Sequence, residues 1–303
     1  MINGFVVIDK PAGITSHDVV SRVRRILGTR KVGHTGTLDP FATGVLPVAV
    51  NEGTKAIPFL DEGIKCYEAV MQLGVVTDTL DMTGTVLRTA DFQTVSQENV
   101  ESVLKQFTGP LNQIPPMYSA IKRDGQPLYK LARQGQVVER AARQINIHFI
   151  ELLTYALPYV SFRVACSRGT YVRTLADDIG TVLGCGGALK ELRRTASGPF
   201  AISASVSLEG LEEAVRSGIH ETFSITPFTA LSHLPEIPLN DAGLALVRHG
   251  RSPEVHDTEV CDPASWADAT LVRLTRNGTL IAVAEYRPCD DAAPRIILKR
   301  VFM

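Results

Sequence analysis

The 303-residue chain is 45% hydrophobic and 21% charged, with a formal net charge of -1 at pH 7. That balance belongs to a folded globular protein and excludes a disordered chain. No apolar run approaches the ~20 residues that cross a bilayer, and Met1-Ile2-Asn3-Gly4 lacks the basic and then apolar order of a signal peptide, so a cytoplasmic chain without membrane contact is expected. The five cysteines, Cys66, Cys166, Cys185, Cys261 and Cys289, have no C-x-x-C spacing, which points away from zinc and from disulfide cycling.

Taken alone, near-neutrality counts against a nucleic-acid binder, but it conceals an uneven distribution. Residues 1–33 set Lys10, Arg22, Arg24, Arg25, Arg30 and Lys31 against Asp9 and Asp18. Residues 122–143 set Lys122, Arg123, Lys130, Arg133, Arg140 and Arg143 against Asp124 and Glu139. Residues 201–241 are acidic.

In chain order, Phe5-Val6-Val7-Ile8 reads as a short strand and Lys10-Pro11-Ala12-Gly13 as a turn. Ser16 is the expected N-cap of a helix whose apolar face is Val19, Val20, Val23, Ile26 and Leu27, with Gly28 beyond its end and its arginines free to meet phosphates. Residues 33–44 form a loop containing three glycines, His34, Asp39 and Pro40. The loop lacks both G-x-x-x-x-G-K-[ST] and G-x-G-x-x-G, so a nucleotide cradle is poorly supported. Asp39 reads either as a functional carboxylate or as an Asp-Pro turn bonding to nearby amides.

Tyr67, Ala69, Met71 and Leu73 alternate as a half-buried strand, and Ser96 can cap a helix through Phe107 that Gly109-Pro110 ends. Ile145, Ile147 and Phe149 alternate, as do Val160, Phe162, Val164 and Cys166, and Thr170 is positioned to cap a helix to Leu183. Strands and helices intermix without a βαβ rhythm, which predicts an α+β fold on a mixed, largely antiparallel sheet. Leu234-Pro235-Glu236-Ile237-Pro238 reads as a linker. Beyond it, residues 270–274 and 280–283 flank Asn277-Gly278, a hairpin signal, so the C-terminal part is expected to be a small β-rich domain.

Gly33-His34-Thr35-Gly36-Thr37-Leu38-Asp39-Pro40-x-Ala42-x-Gly44 resembles the signature of the TruB family of tRNA pseudouridine synthases. Four further segments match in the same order: Asp9-Lys10-Pro11-x-Gly13, Lys65-Cys66-Tyr67, Thr77-Asp78-Thr79-x-Asp81-x-x-Gly84, and Ser167-Arg168-Gly169-Thr170-Tyr171-x-Arg173. The resemblance runs from about residue 3 to 200. It implies a bacterial-type enzyme that isomerises uridine-55 of the tRNA T arm to pseudouridine, with a catalytic domain over residues 1–236 and a PUA-like RNA-binding domain over 237–303. No metal or cofactor is implied, and a monomer without an obligate protein partner is expected.

By the same resemblance, Asp39 is the nucleophile and Arg173 its ion-pair partner. Tyr67 stacks on the target base and is a candidate for its final proton. His34 holds the RNA open after base flipping, Tyr171 and Leu192 line the pocket, and Lys10 shapes its rim. The basic residues of about 118–143 occupy the place of an RNA-clasping insertion. One carboxylate beside the ribose is enough for such chemistry, because an ionised group can stabilise or capture an oxocarbenium-like C1′. The alternatives are a guide-RNA-dependent synthase, a non-catalytic tRNA-folding protein, and a metal-dependent hydrolase using Asp78 and Asp81.

Overall fold

The apolar run Phe5-Val6-Val7-Ile8 falls in the interior strand Phe5–Lys10, where it is covered on both faces. Val6 and Ile8 join one buried cluster, while Phe5 and Val7 join another. The computed structural model describes residues 2–61, 63–123, 125–259, 267–287 and 295–302. Asp124, Cys261 and Cys289 lie outside the described residues.

Ten strands form one sheet, whose main path runs Ser205–Val206, Phe5–Lys10, Thr43–Val50, Gly187–Ser197, Ile64–Leu73, Tyr159–Ser167, Arg143–Ala156 and Gly109–Gln113. Two of its pairings are parallel, Phe5–Lys10 with Ser205–Val206 and Gly187–Ser197 with Thr43–Val50. The other pairings are antiparallel, so the sheet is mixed and largely antiparallel as expected. Tyr67, Ala69, Met71 and Leu73 are all buried, as are Val160, Phe162, Val164 and Cys166. The alternation of Ile145 and Ile147 does not extend to Phe149. A β-bulge between Ile147 and Phe149 reverses the phase, leaving Phe149 exposed.

The helix Ser16–Leu27 packs against Leu208–Arg216 on one face of the sheet. Its N-cap is Thr15, not Ser16: Thr15 Oγ1 accepts from Asp18 N, and Asp18 Oδ2 accepts from Thr15 N. Ser16 is buried and bonds both backbone groups of Leu38, donating to its carbonyl at 3.2 Å and accepting from its amide at 2.9 Å. Gly28 closes the helix at φ 62°, in the left-handed region glycine adopts without penalty. Arg24 donates to Val32 O and so is bound within the protein, while Arg22 and Arg25 are exposed. Thr170 does not cap the later helix, Val172–Val182; that position is Tyr171, whose side chain makes no capping bond.

The segment expected to be a linker is structured. Glu236–Pro238 pairs in parallel with Thr270–Arg276, and Ile237 is buried. A four-stranded sheet continues through Thr279–Arg287 and Arg295–Val301. The turn at Asn277-Gly278 has φ 49° and 70°, the two positive angles of a type I′ hairpin. Leu280, Val283 and Phe302 pack with Phe5, Val7, Val45 and Phe200, so the small sheet shares a core with the large one.

Candidate active site

The loop between Val32–His34 and Thr43–Val50 is held from beneath by buried donors. Lys10 has no exposed surface, and its Nζ donates to Pro11 O at 2.8 Å, Pro40 O at 3.1 Å and Ala42 O at 2.7 Å. Arg194 is equally buried and donates to Val45 O at 2.7 Å, Thr37 O at 3.4 Å and Gly36 O at 3.1 Å. With Ser16 on Leu38, the carbonyls of residues 36, 37, 38, 40 and 42 all have internal donors, which fixes the direction of the residue among them, Asp39. Burial lowers the Lys10 ammonium to about 8, with Asp39 opposing that shift.

Gly44 sits at φ 98°, and a Cβ there would stand 2.2 Å from Arg194 O. Gly44→Ala is therefore expected to lower the unfolding free energy by roughly 2–4 kcal/mol through positive-φ strain and displaced backbone. Denaturant unfolding at constant slope measures this, and a loss below about 0.5 kcal/mol would contradict the packing described.

Asp39 lies on the floor of a cavity of about 680 Å³, with a third of its side chain still open. Arg173, only 4% exposed, grips it: Nε stands 2.8 Å from Oδ2, and Nη2 donates to Oδ1 at 3.1 Å. The guanidinium is aimed by three further groups, donating to Thr79 O at 2.9 Å and Tyr118 O at 2.8 Å and facing Asp81 Oδ2 at 3.6 Å. Burial pushes the Asp39 carboxyl up from its ordinary value, Arg173 is the main influence pulling it down, and Asp81 adds to the rise.

Asp78 and Asp81 are engaged in their own turn. Asp81 Oδ1 accepts from Thr79 Oγ1 at 2.8 Å, Thr83 N at 3.0 Å and Thr83 Oγ1 at 2.5 Å, and Asp78 Oδ1 accepts from Thr85 N at 2.7 Å. A Cβ on Gly84 would meet Thr79 Oγ1 and Asp78 Oδ1 at 2.2 and 2.3 Å, which accounts for the glycine in that motif. Among the described residues, no three His, Cys, Asp or Glu side chains gather as a metal group.

Tyr67, Tyr171 and Leu192 line the same cavity as Asp39 and Arg173. Burial raises the phenol pKa of both tyrosines, opposed mainly by Arg194 at Tyr67 and by a hydrogen bond with Ser119 at Tyr171. Tyr171 is clamped by buried Gln113, whose Oε1 accepts from its amide at 2.8 Å and whose Nε2 donates to its carbonyl at 3.1 Å. Gln113→Ala leaves both groups short of a partner, at about 1–3 kcal/mol. Denaturant unfolding at constant slope should register that loss, and an unchanged stability would show that Tyr171 needs no clamp.

Two predicted site residues are not on the cavity wall. Lys10 lies beneath the loop, and half-buried His34 sits in the strand paired with Thr43–Val50. The basic insertion is divided in use. Arg123 donates to Glu139 O and Arg140 to Pro115 O, whereas Arg133 lines the cavity mouth and lies over the Tyr129 ring at 5.6 Å.

Arg194, Gln113 and the Thr79 and Tyr118 carbonyls escaped sequence reasoning. Only Arg194 left a signal: it falls in phase with Leu192, an arginine at a core-facing strand position, which is rare unless its donors are occupied.

A family model described as "TruB family pseudouridylate synthase (N terminal domain)" matches residues 24–172, and one described as "tRNA pseudouridylate synthase B C-terminal domain" matches 173–231. Proteins named tRNA pseudouridine synthase B share 52% identity in Geotalea uraniireducens (94% of this chain, 92% of that protein) and 44% in Pseudomonas putida strain F1 (98% and 96%). A chain from the crystal structure of a Cbf5-Nop10-Gar1 complex superposes with a TM-score of 0.77 at 29% identity, over 99% of this chain and 85% of its own. With both family models in sequence and these relatives along nearly the whole length, the chain belongs to the TruB family of pseudouridylate synthases.

Proposed function

We propose that this chain converts uridine-55 in the T arm of tRNA to pseudouridine, unaided by guide RNA or cofactor. The observation that carries the reading is the Asp39–Arg173 pair on the floor of a cavity walled by Tyr67, Tyr171 and Leu192. A nucleoside flipped out of a folded loop needs this combination of apolar and aromatic walls with one carboxylate reaching the sugar.

The N1–C1′ bond breaks with its electron pair going to N1, and the Asp39 carboxylate stabilises or captures the electron-poor C1′. The freed base turns between Tyr67, Tyr171 and Leu192, C5 bonds to C1′, and Asp39 is released unchanged. C5 then loses its proton, and N1 ends protonated. Tyr67 stacks on the base and exchanges protons with it. His34 keeps the RNA open from the strand beside the pocket, and Lys10 acts from beneath by holding the loop's shape.

Residues 1–236 form the catalytic domain in this reading. The insertion at about 118–143 clasps RNA through exposed Lys122, Lys130 and Arg133, and 237–303 is a PUA-like RNA-binding domain. The enzyme works in the cytoplasm as a monomer.

The similarity to a chain described as part of an "H/ACA RNP bound to a substrate RNA containing 2'-deoxyuridine" (TM-score 0.75, 28% identity) keeps a guide-dependent reading in view. The 52% identity to tRNA pseudouridine synthase B supports independent action. Tritium release from a T-arm stem-loop labelled at uridine C5 separates them. The purified chain, with chelator and no other RNA or protein, should release one equivalent; release only on adding a guide RNA would overturn the proposal.

A further inference from the structure

Arg194 has more to do than tie down a loop. It stands directly opposite Tyr67 in the antiparallel pairing of Gly187–Ser197 with Ile64–Leu73, so the two side chains share one sheet face a few ångströms apart. Tyr67 is 7% exposed and Arg194 fully buried. Among the described residues, no carboxylate lies within ion-pair distance of Arg194; its acceptors are three backbone carbonyls. A guanidinium has five N–H donors, so two remain beyond those bonds. An unneutralised buried cation is costly to keep and strongly stabilises negative charge formed beside it.

We infer that Arg194 is the positioning residue that makes the Tyr67 phenol a reversible proton carrier, its guanidinium stabilising the phenolate formed midway through the isomerisation. The inference rests on the proposed activity and deepens it.

When the N1–C1′ bond breaks, the base leaves as an anion with the electron pair. The Tyr67 hydroxyl gives its proton to an oxygen of that anion and becomes a phenolate beside Arg194. After C5 has bonded to C1′ and displaced Asp39, the phenolate takes the proton from C5, and the proton on the base oxygen settles on N1 by tautomerisation. Tyr67 and Asp39 end as they began. Burial raises the Tyr67 phenol, Cys166 and Asp39 add to the rise, and Arg194 is the main influence against it, so without the guanidinium the phenolate loses its chief support. Lys10 cannot substitute, because its three donors are used on Pro11, Pro40 and Ala42.

The test compares native chain, Arg194→Lys and Arg194→Gln in single turnover on a T-arm stem-loop carrying hydrogen or deuterium at C5 of the target uridine, with RNA binding and melting measured in parallel. Arg194→Gln should slow the reaction by about 10²-fold or more and show a larger deuterium effect than the native chain, because removal of the C5 proton becomes limiting. Arg194→Lys keeps the charge and should recover to within about tenfold of native, with a smaller isotope effect than Arg194→Gln.

Slowing in Arg194→Gln with the native isotope effect would reduce Arg194 to a loop anchor and overturn the proposal. So would a lysine variant as slow as the glutamine one. If Arg194→Gln does not fold, the lysine variant decides: its ammonium is less well placed, so a slowed lysine variant with an isotope effect larger than native supports the carrier role, and a slowed lysine variant with the native effect contradicts it. A native chain that forms no pseudouridine on this RNA overturns the proposed activity itself, which is a different result from native turnover with an indifferent Arg194.

Discussion

Asp39→Asn should abolish pseudouridine formation, slowing single turnover by more than about 10⁴-fold, while tRNA binding stays within roughly tenfold of native. The amide keeps the shape of the carboxyl but has neither the charge to stabilise C1′ nor the electron pair to capture it. The walls that hold the nucleoside, Tyr67, Tyr171 and Leu192, are untouched. The variant should fold, because Arg173 keeps Thr79 O, Tyr118 O and the Asp81 carboxylate when its contact with Asp39 is weakened. That matters, because a buried arginine stripped of every partner would cost about 3–5 kcal/mol. Binding by anisotropy beside product formation checks both halves; a variant that binds and turns over near the native rate would remove Asp39 from the chemistry.

Arg173→Lys should lower the rate by about 10²-fold and move the acid limb of the pH–rate profile to higher pH. Burial already holds the Asp39 carboxyl above its ordinary value, and Arg173 is the main influence bringing it down. Lysine supplies a point charge instead of a fork and cannot reproduce the contacts to Asp39, Thr79 O and Tyr118 O together. With the opposing influence weakened, the carboxyl rises further, its ionised fraction on the acid side falls, and activity is lost at a higher pH. An acid limb that stays in place, or moves down, would mean that Arg173 does not govern Asp39.

The fold was legible where local rules act. The period of two at Tyr67 to Leu73 placed a strand and its buried face, Asn277-Gly278 placed a hairpin, and Ser96 placed a cap. It was not legible where a distant partner decides. Glu236–Pro238 looks like a linker because its strand character comes from Thr270–Arg276, and Phe149 faces outward because a one-residue bulge flips the alternation. The same division holds at the site. Asp39, Tyr67, Tyr171 and Arg173 stand in recognisable motifs, Leu192 comes from the resemblance alone, and all five meet at one cavity. Burial of Lys10 and Arg194 depends on carbonyls 30 or more residues away, as with Lys10 on Pro40 and Arg194 on Val45, which no local pattern signals.

The most direct measurement is nucleotide-resolution mapping of pseudouridine in an unmodified tRNA transcript incubated with the purified chain, native or Asp39→Asn. One new pseudouridine at position 55 with the native chain, and none with the variant, is the predicted result. No pseudouridine with the native chain, pseudouridine elsewhere than the T arm, or equal conversion by the variant would contradict it.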